Sequence, residues 1–282
     1  KLKTNIDSNN DTWIYYDINL SIPTNVKGNL KVFFGYHTPT TKYFAHIEMI
    51  KVISKIPTFK ETNGLVTLLL PNDVNQLKDL SNNSNHFISK IPLKFNSKNS
   101  VNISEKELVG VNKALTTQDG HKIEQFSILF GLDILDNKEN GTIISIPGNQ
   151  NTALTITTNA NSKNLVDDED TNYISNYSYI TARVGDDPTR YDSPPHILEG
   201  NNVYTMTYDN SKGYGVISFY LNKNDRPFWQ FNTKTKLYFD SPIKLNEGGK
   251  INADFKAFII YDRLITTAQR IYIVNFINNY EQ

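Results

Sequence analysis

Two short stretches hold residue types that recognise ligands. In Arg226-Pro227-Phe228-Trp229-Gln230-Phe231-Asn232, flat aromatic faces stand beside guanidinium and amide groups. That combination meets a sugar ring or the hydrophobic anchor of a partner protein, so Arg226, Phe228, Trp229 and Gln230 are candidate binding residues. Phe228, Trp229 and Phe231 fall on both faces of an extended segment, and packing within or between domains is favoured over ligand contact there. The second stretch, Gly185-Asp186-Asp187-Pro188-Thr189-Arg190-Tyr191-Asp192, lies in a polar, proline-stiffened loop. Rigid scaffolds present binding groups on such loops, which makes Asp187, Arg190 and Tyr191 the second candidate set. A plain connector would look the same.

Catalytic chemistry finds less support. The five histidines, His37, His46, His86, His121 and His196, are not spaced to share one helical or strand face, and no H-E-x-x-H motif occurs. No G-x-S-x-G elbow is present. With no cysteine, a thiol nucleophile, a zinc–cysteine site and a disulfide scaffold are all excluded. The acidic run Asp167-Asp168-Glu169-Asp170 holds oxygen ligands for a calcium ion, but adjacent like charges without the one-three-five spacing of a calcium loop read as a solvated loop. Asp136 to Gly141 places Lys138 at a ligand position and fits a hairpin turn better. No metal, no cofactor and no enzymatic activity are expected. Carboxylate pairs that converge only in space keep a carbohydrate-active enzyme as the last reading.

Charge argues in the same direction. Lys and Arg number 29 against 29 Asp and Glu, so no field of one sign attracts a phosphate backbone or an anionic membrane surface. Nucleic acid is not an expected partner. No run approaches the roughly 18 apolar residues of a membrane helix. The first residue is Lys1, not methionine, which suggests a processed and exported product.

The elements that must position these residues are strands. With 16 Tyr and 15 Phe against 2 Met, the apolar residues suit a pleated surface. Period-two alternation runs from Ile251 to Tyr261, from Phe126 to Ile134 and from Ile14 to Ile22. The expected fold is all-β: two antiparallel β-sandwich or jelly-roll units, with one large sandwich as the alternative. One short helix is expected at Ser104 to Leu115, where Ser104 and Glu107 make a capping box ahead of Leu108, Val111 and Leu115. A flexible arm at 1–11, a first sandwich at 12–120 and a second at 121–282 follow. The strand candidates include Phe228 to Asp240 and Arg270 to Ile277.

Three function classes remain. A non-catalytic extracellular structural or adhesive protein, a surface-appendage subunit or adhesin, comes first; it implies self-association into an assembly or a glycan or protein receptor. A viral capsid or spike jelly roll is the alternative. A β-pore-forming toxin is third, because the alternating Thr and Asn residues of Asn149 to Asn164 resemble an inserting hairpin. That alternation is shorter than the roughly nine residues a spanning strand needs, and a surface hairpin is the preferred reading.

Overall fold

The computed structural model describes residues 59–71, 76–96, 100–115, 124–136, 140–148, 153–163, 176–185, 187–194 and 200–280. All of them belong to the compact unit Lys51–Gln282. The expected arm, the strand candidates from Trp13 to Ile53 and the acidic run at 167–170 lie outside the described residues, as do His37, His46, His121 and His196.

The fold is all-β, two antiparallel sheets with one helix among the described residues. Across the first sheet the order is β14 (Trp229–Thr233), β13 (Gly215–Leu221), β12 (Asn201–Asp209), β7 (Gln125–Asp136), β16 (Asn252–Tyr261), β5 (Val101–Asn102) and β4 (Lys94–Phe95). Strand β1 (Leu65–Leu69) pairs with the C-terminal half of β16, beyond the part that β5 occupies. The second sheet runs β11 (Tyr191–Asp192), β10 (Asn176–Val184), β9 (Leu154–Lys163), β8 (Gly141–Ile146), β15 (Lys244–Glu247), β6 (Leu108–Gly110), β3 (Phe87–Ser89) and β2 (Gln76–Leu77). Each sheet takes strands from both sides of residue 120, where the sequence suggested a domain boundary.

Alternation explains how the sheets meet. Phe126, Ile128, Phe130 and Leu132 of β7 point into one core, together with Tyr204, Met206 and Tyr208 of β12 and Leu154, Ile156, Ile180 and Ala182 of the other sheet. Cross-strand pairing stacks Phe130 on Tyr204 with ring centres 5.1 Å apart, and Phe126 on Tyr208 at 5.3 Å. Burying one such ring contributes on the order of 2–3 kcal/mol, and a good aromatic pair adds about 1 kcal/mol. Strand β9 lies between β8 and β10 with Leu154 and Ile156 fully buried, so the Thr-rich hairpin is part of the sandwich.

Strand β16 departs from simple alternation. Ile251, Ala253 and Phe255 face the inter-sheet core, but the pairing with β7 then slips, so that Phe255 opposes Leu132 while Ala257 opposes Gly131. Lys256 is the extra residue of a β-bulge, and it exchanges the two faces of the strand. Beyond it Phe258 and Ile260 face the sandwich core, whereas Ala257, Ile259 and Tyr261 point outward. Gly131 makes room for this: a Cβ there would lie 3.1 Å from Lys256 Cβ and 3.4 Å from Ile277 Cγ2.

The outward residues are covered by helix α1 (Thr267–Asn279), through Ile273, Val274, Phe276 and Ile277. The segment Arg270 to Ile277 is therefore helix and not the expected strand. Its β-branched composition favours a strand, but Arg270, Ile273, Val274 and Ile277 make an i, i+3, i+4, i+7 stripe with an apolar surface to cover. A reciprocal cap starts it: Thr266 Oγ1 accepts the Gln269 amide at 3.2 Å and Gln269 Oε1 accepts the Thr266 amide at 3.0 Å. This helix is too short to cross a membrane, and no other helix is present among the described residues.

The expected helix at Ser104 to Leu115 is instead a turn followed by β6. Both capping groups are engaged elsewhere. The Ser104 hydroxyl bonds the Asn252 side-chain oxygen, and the Glu107 carboxylate accepts from the Gly248 amide at 2.9 Å. Glu105 takes a left-handed φ of 58°, which no helix interior tolerates. Phe228 to Asp240 likewise yields only the five-residue β14, followed by irregular chain and a single bridging residue at Phe239.

Candidate functional site

Strands β11 and β14 lie at the edges of different sheets, and the two candidate stretches they carry meet at one corner. The Tyr191 and Phe231 rings stack with centres 4.0 Å apart and planes 15° from parallel. The Tyr191 hydroxyl donates to the Asp187 carboxylate at 2.8 Å, with the Asn232 carbonyl at 3.1 Å as a second acceptor. Thr189, through its hydroxyl and its amide, holds the Asp187 carboxyl below the usual carboxylate range, and Tyr191 adds to this. Burial pushes the Tyr191 phenol up, and the neighbouring Asp187 charge acts in the same sense.

The corner sorts the candidates by what each touches. Trp229 is buried, stacked on its cross-strand partner Phe219 at 4.7 Å and tilted against Phe231 at 5.0 Å. It is core material, as the packing reading anticipated. Phe228 is half-buried and its ring centre lies 6.3 Å from that of Phe219. Gln230 is exposed and donates to Ser218 Oγ at 2.8 Å, and Arg226 is exposed in the turn between β13 and β14. Arg270 anchors that turn from below: its Nη1 donates to the Asn222 carbonyl at 3.4 Å and to the Asn224 carbonyl, and its guanidinium lies 4.3 Å from the Tyr220 ring centre.

Arg190 points away from the corner, across the outer face of the second sheet. Its Nε donates to Asp192 Oδ1 at 2.8 Å, and its Nη2 donates to the Tyr179 hydroxyl. Thr181 Oγ1 donates to the same Asp192 oxygen at 2.6 Å. The Arg190 and Asp192 side chains are 42% and 44% exposed, so this ion pair orients the guanidinium more than it stabilises the fold.

Arg190 also lines a groove of about 590 Å³ that the sequence reading did not identify. Leu154 and Ile156 of β9 and Ile180, Ala182 and Val184 of β10 face the core, so the alternate residues Thr155, Thr157, Thr181 and Arg183 face outward. Register aligns them across the sheet. Asp192, Thr181, Thr157, Thr142 and Glu247 form one row, and Arg183, Thr155, Ser145 and Lys244 the next. Lys250, in the turn after β15, borders the same groove. Hydroxyl groups and cations on a rigid sheet suit the binding of a polyhydroxylated ligand. Alternate polar residues in two paired strands were the available signal, but it emerges only once the register is known. Among the described residues no group of three or more His, Asp or Glu is placed to hold a metal ion. His86 Nδ1 accepts the Asp79 amide at 2.9 Å and so helps to order a loop.

No family model and no curated protein sequence matches the chain. Solved structures do. A structure of botulinum neurotoxin type C, which enters cells in dependence on interaction with two ganglioside molecules, is similar at a TM-score of 0.54 and 16% identity, covering 77% of this chain and 52% of that one. The binding domain of botulinum neurotoxin DC, solved in complex with rat synaptotagmin II, has the same TM-score, identity and coverage. The binding domain of Paraclostridial Mosquitocidal Protein 1 is similar at a TM-score of 0.52 and 14% identity, covering 76% and 52% of the two chains. The chain thus spans about half the length of each of these structures, 52%. At these identities the likeness is one of fold.

Proposed function

We propose that this chain is a non-catalytic extracellular binding module, whose rigid two-sheet scaffold presents the outer face of the second sheet to a glycan. The observation that carries the reading is the groove itself: Thr142, Thr155, Thr157 and Thr181 lie in register on β8, β9 and β10 and line it together with Arg183, Arg190 and Lys250. Hydroxyl side chains on a fixed sheet can exchange hydrogen bonds with sugar hydroxyls without reorganising the backbone. The fold-level similarity to toxin binding domains, some described with ganglioside, sialylT or synaptotagmin ligands, supports a receptor-directed role by analogy. Among the roles anticipated from sequence, adhesion has a face through which to act.

The corner of Asp187, Tyr191, Phe228, Trp229, Gln230 and Arg226 serves this reading as support and rim. Tyr191 and Asp187 hold the loop that carries Arg190, and the exposed Arg226 and Gln230 offer a secondary contact surface. The test is a saccharide panel screened against isotope-labelled protein by NMR. The expected result is binding that shifts the amide signals of Thr142, Thr155, Thr157 and Thr181. Shifts confined to Gln230 and Arg226 would move the site to the corner, and the absence of any saccharide binding would refute the reading.

A further inference from the structure

The whole chain carries 29 basic and 29 acidic residues, yet among the described residues the groove is lined by Arg183, Arg190 and Lys250 against Glu247 alone. Two of these four charges are already matched. Glu247 accepts from Lys244 Nζ at 2.6 Å, and Arg190 is held by Asp192 at 2.8 Å. Arg183 and Lys250 are exposed and have no ion-pair partner among the described residues. Arg183 reaches the groove from β10 and Lys250 from the turn after β15, with Thr155 and Thr157 of β9 and Thr142 of β8 between. None of the described residues lining the groove is aromatic, so recognition by them falls to hydrogen bonds and charge rather than to stacking on a ring.

We infer that the groove selects saccharides bearing an oxyanion, a carboxylate or a sulfate, which Arg183 and Lys250 bind while the threonines contact the neighbouring hydroxyls. A planar guanidinium takes two oxygens of such a group in a fork, whereas an ammonium offers a single point charge. A neutral sugar would leave both cations without a counter-charge. Because both are exposed, the attraction is screened, and affinity falls as ionic strength rises.

The inference rests on the glycan-binding reading of the groove, and the test separates the two. The intact chain is titrated by calorimetry and NMR with lactose, with a disaccharide containing a uronic acid, with a disaccharide bearing a 6-sulfate, and with inorganic sulfate. Arg183→Gln and Lys250→Gln are compared with Lys223→Gln, an exposed cation in the turn between β13 and β14. The expected result is tighter binding of one or both charged disaccharides than of lactose, weakened about tenfold by either groove substitution and unchanged by Lys223→Gln. Which charged disaccharide binds tells a carboxylate from a sulfate. If lactose binds as tightly as both and the substitutions have no effect, selection by charge is refuted while the groove reading stands. If inorganic sulfate competes as well as either disaccharide, the saccharide part is refuted. If no probe moves the groove threonines, both readings fall.

Discussion

Tyr191 lies flat against Phe231 at 4.0 Å and in this way fastens the edge strand of one sheet to the edge strand of the other. Replacing Tyr191 with alanine removes the stack as well as the bonds to Asp187 and Asn232, and is expected to cost about 2 kcal/mol. Tyr191→Phe keeps the stack, loses only the hydroxyl bonds and is expected to cost about 1 kcal/mol. Urea unfolding of the two variants gives this order if the ring contact dominates, and the same cost for both if the hydroxyl does.

Gly131 sits where the Lys256 bulge, β7 and helix α1 come together. A methyl group there must push Lys256 Cβ outward from 3.1 Å, with Ile277 Cγ2 of the helix already in contact at 3.4 Å. Gly131→Ala is therefore expected to destabilise the fold by about 1–3 kcal/mol, measurable as a lowered thermal midpoint. An unchanged midpoint would mean that the helix yields freely.

Asp79 organises the loop between β2 and β3. Its carboxylate accepts from the amides of Leu68, Ser81 and Asn85 at 2.9 Å each, and from the Ser81 hydroxyl at 2.8 Å. With Asp79 only 6% exposed, Asp79→Ala takes from the three amides their carboxylate acceptor and is expected to cost about 3 kcal/mol. Asp79→Asn retains one accepting oxygen and falls between the two. Denaturant midpoints for the three proteins check the order.

Alkaline pH should act through buried phenols. Burial pushes Tyr208 up to about 12, and Tyr204 and Tyr261 higher still for the same leading cause. In the unfolded chain these groups ionise near pH 10, at about the ordinary tyrosine value. Above that pH the unfolded chain has lost protons that the native chain retains, so their contribution to stability is complete below pH 10 and is lost as pH rises through the native values. Unfolding midpoints are expected to hold steady from pH 7 to 9 and fall between pH 10 and 12. Phenolate absorbance of the native protein should lag behind that of the denatured protein over the same interval.

The strands were legible where large apolar residues alternate with polar or small ones. The Phe126-to-Ile134 alternation marks β7 because its inward residues share one core while Ser127 and Asp133 break the outward pattern. Strand β16 read as an unbroken alternation, since a bulge at Lys256 leaves no mark in composition. The run Phe258 to Tyr261 was the visible trace of a strand buried on both sides. Helix α1 was missed because Ile271, Tyr272, Ile273 and Val274 carry strand propensity, and tertiary cover decides against it. The capping box at Ser104 misled for the opposite reason: its side chains were equally able to bond Asn252 of β16 and the turn after β15. Both corner stretches were found as separate pieces. Their meeting depends on a contact between distant residues, and the groove depends on strand register, neither of which a local pattern encodes.

The bulge at Lys256 makes β16 sensitive to length more than to composition. Deleting that one residue would leave a regular strand in which Ala257, Ile259 and Tyr261 still face the helix and Phe258 and Ile260 the sandwich interior, because Phe255 and Ala257 already pair with the consecutive residues Leu132 and Gly131. Deleting Phe258 instead would put each following side chain, all of an acceptable type, in the wrong compartment. Single-residue deletions scanned along this strand should therefore be mildest at Lys256 and most damaging beyond Ala257. Substitutions of Lys256 itself should also be among the mildest, because the pairing with β7 passes it over.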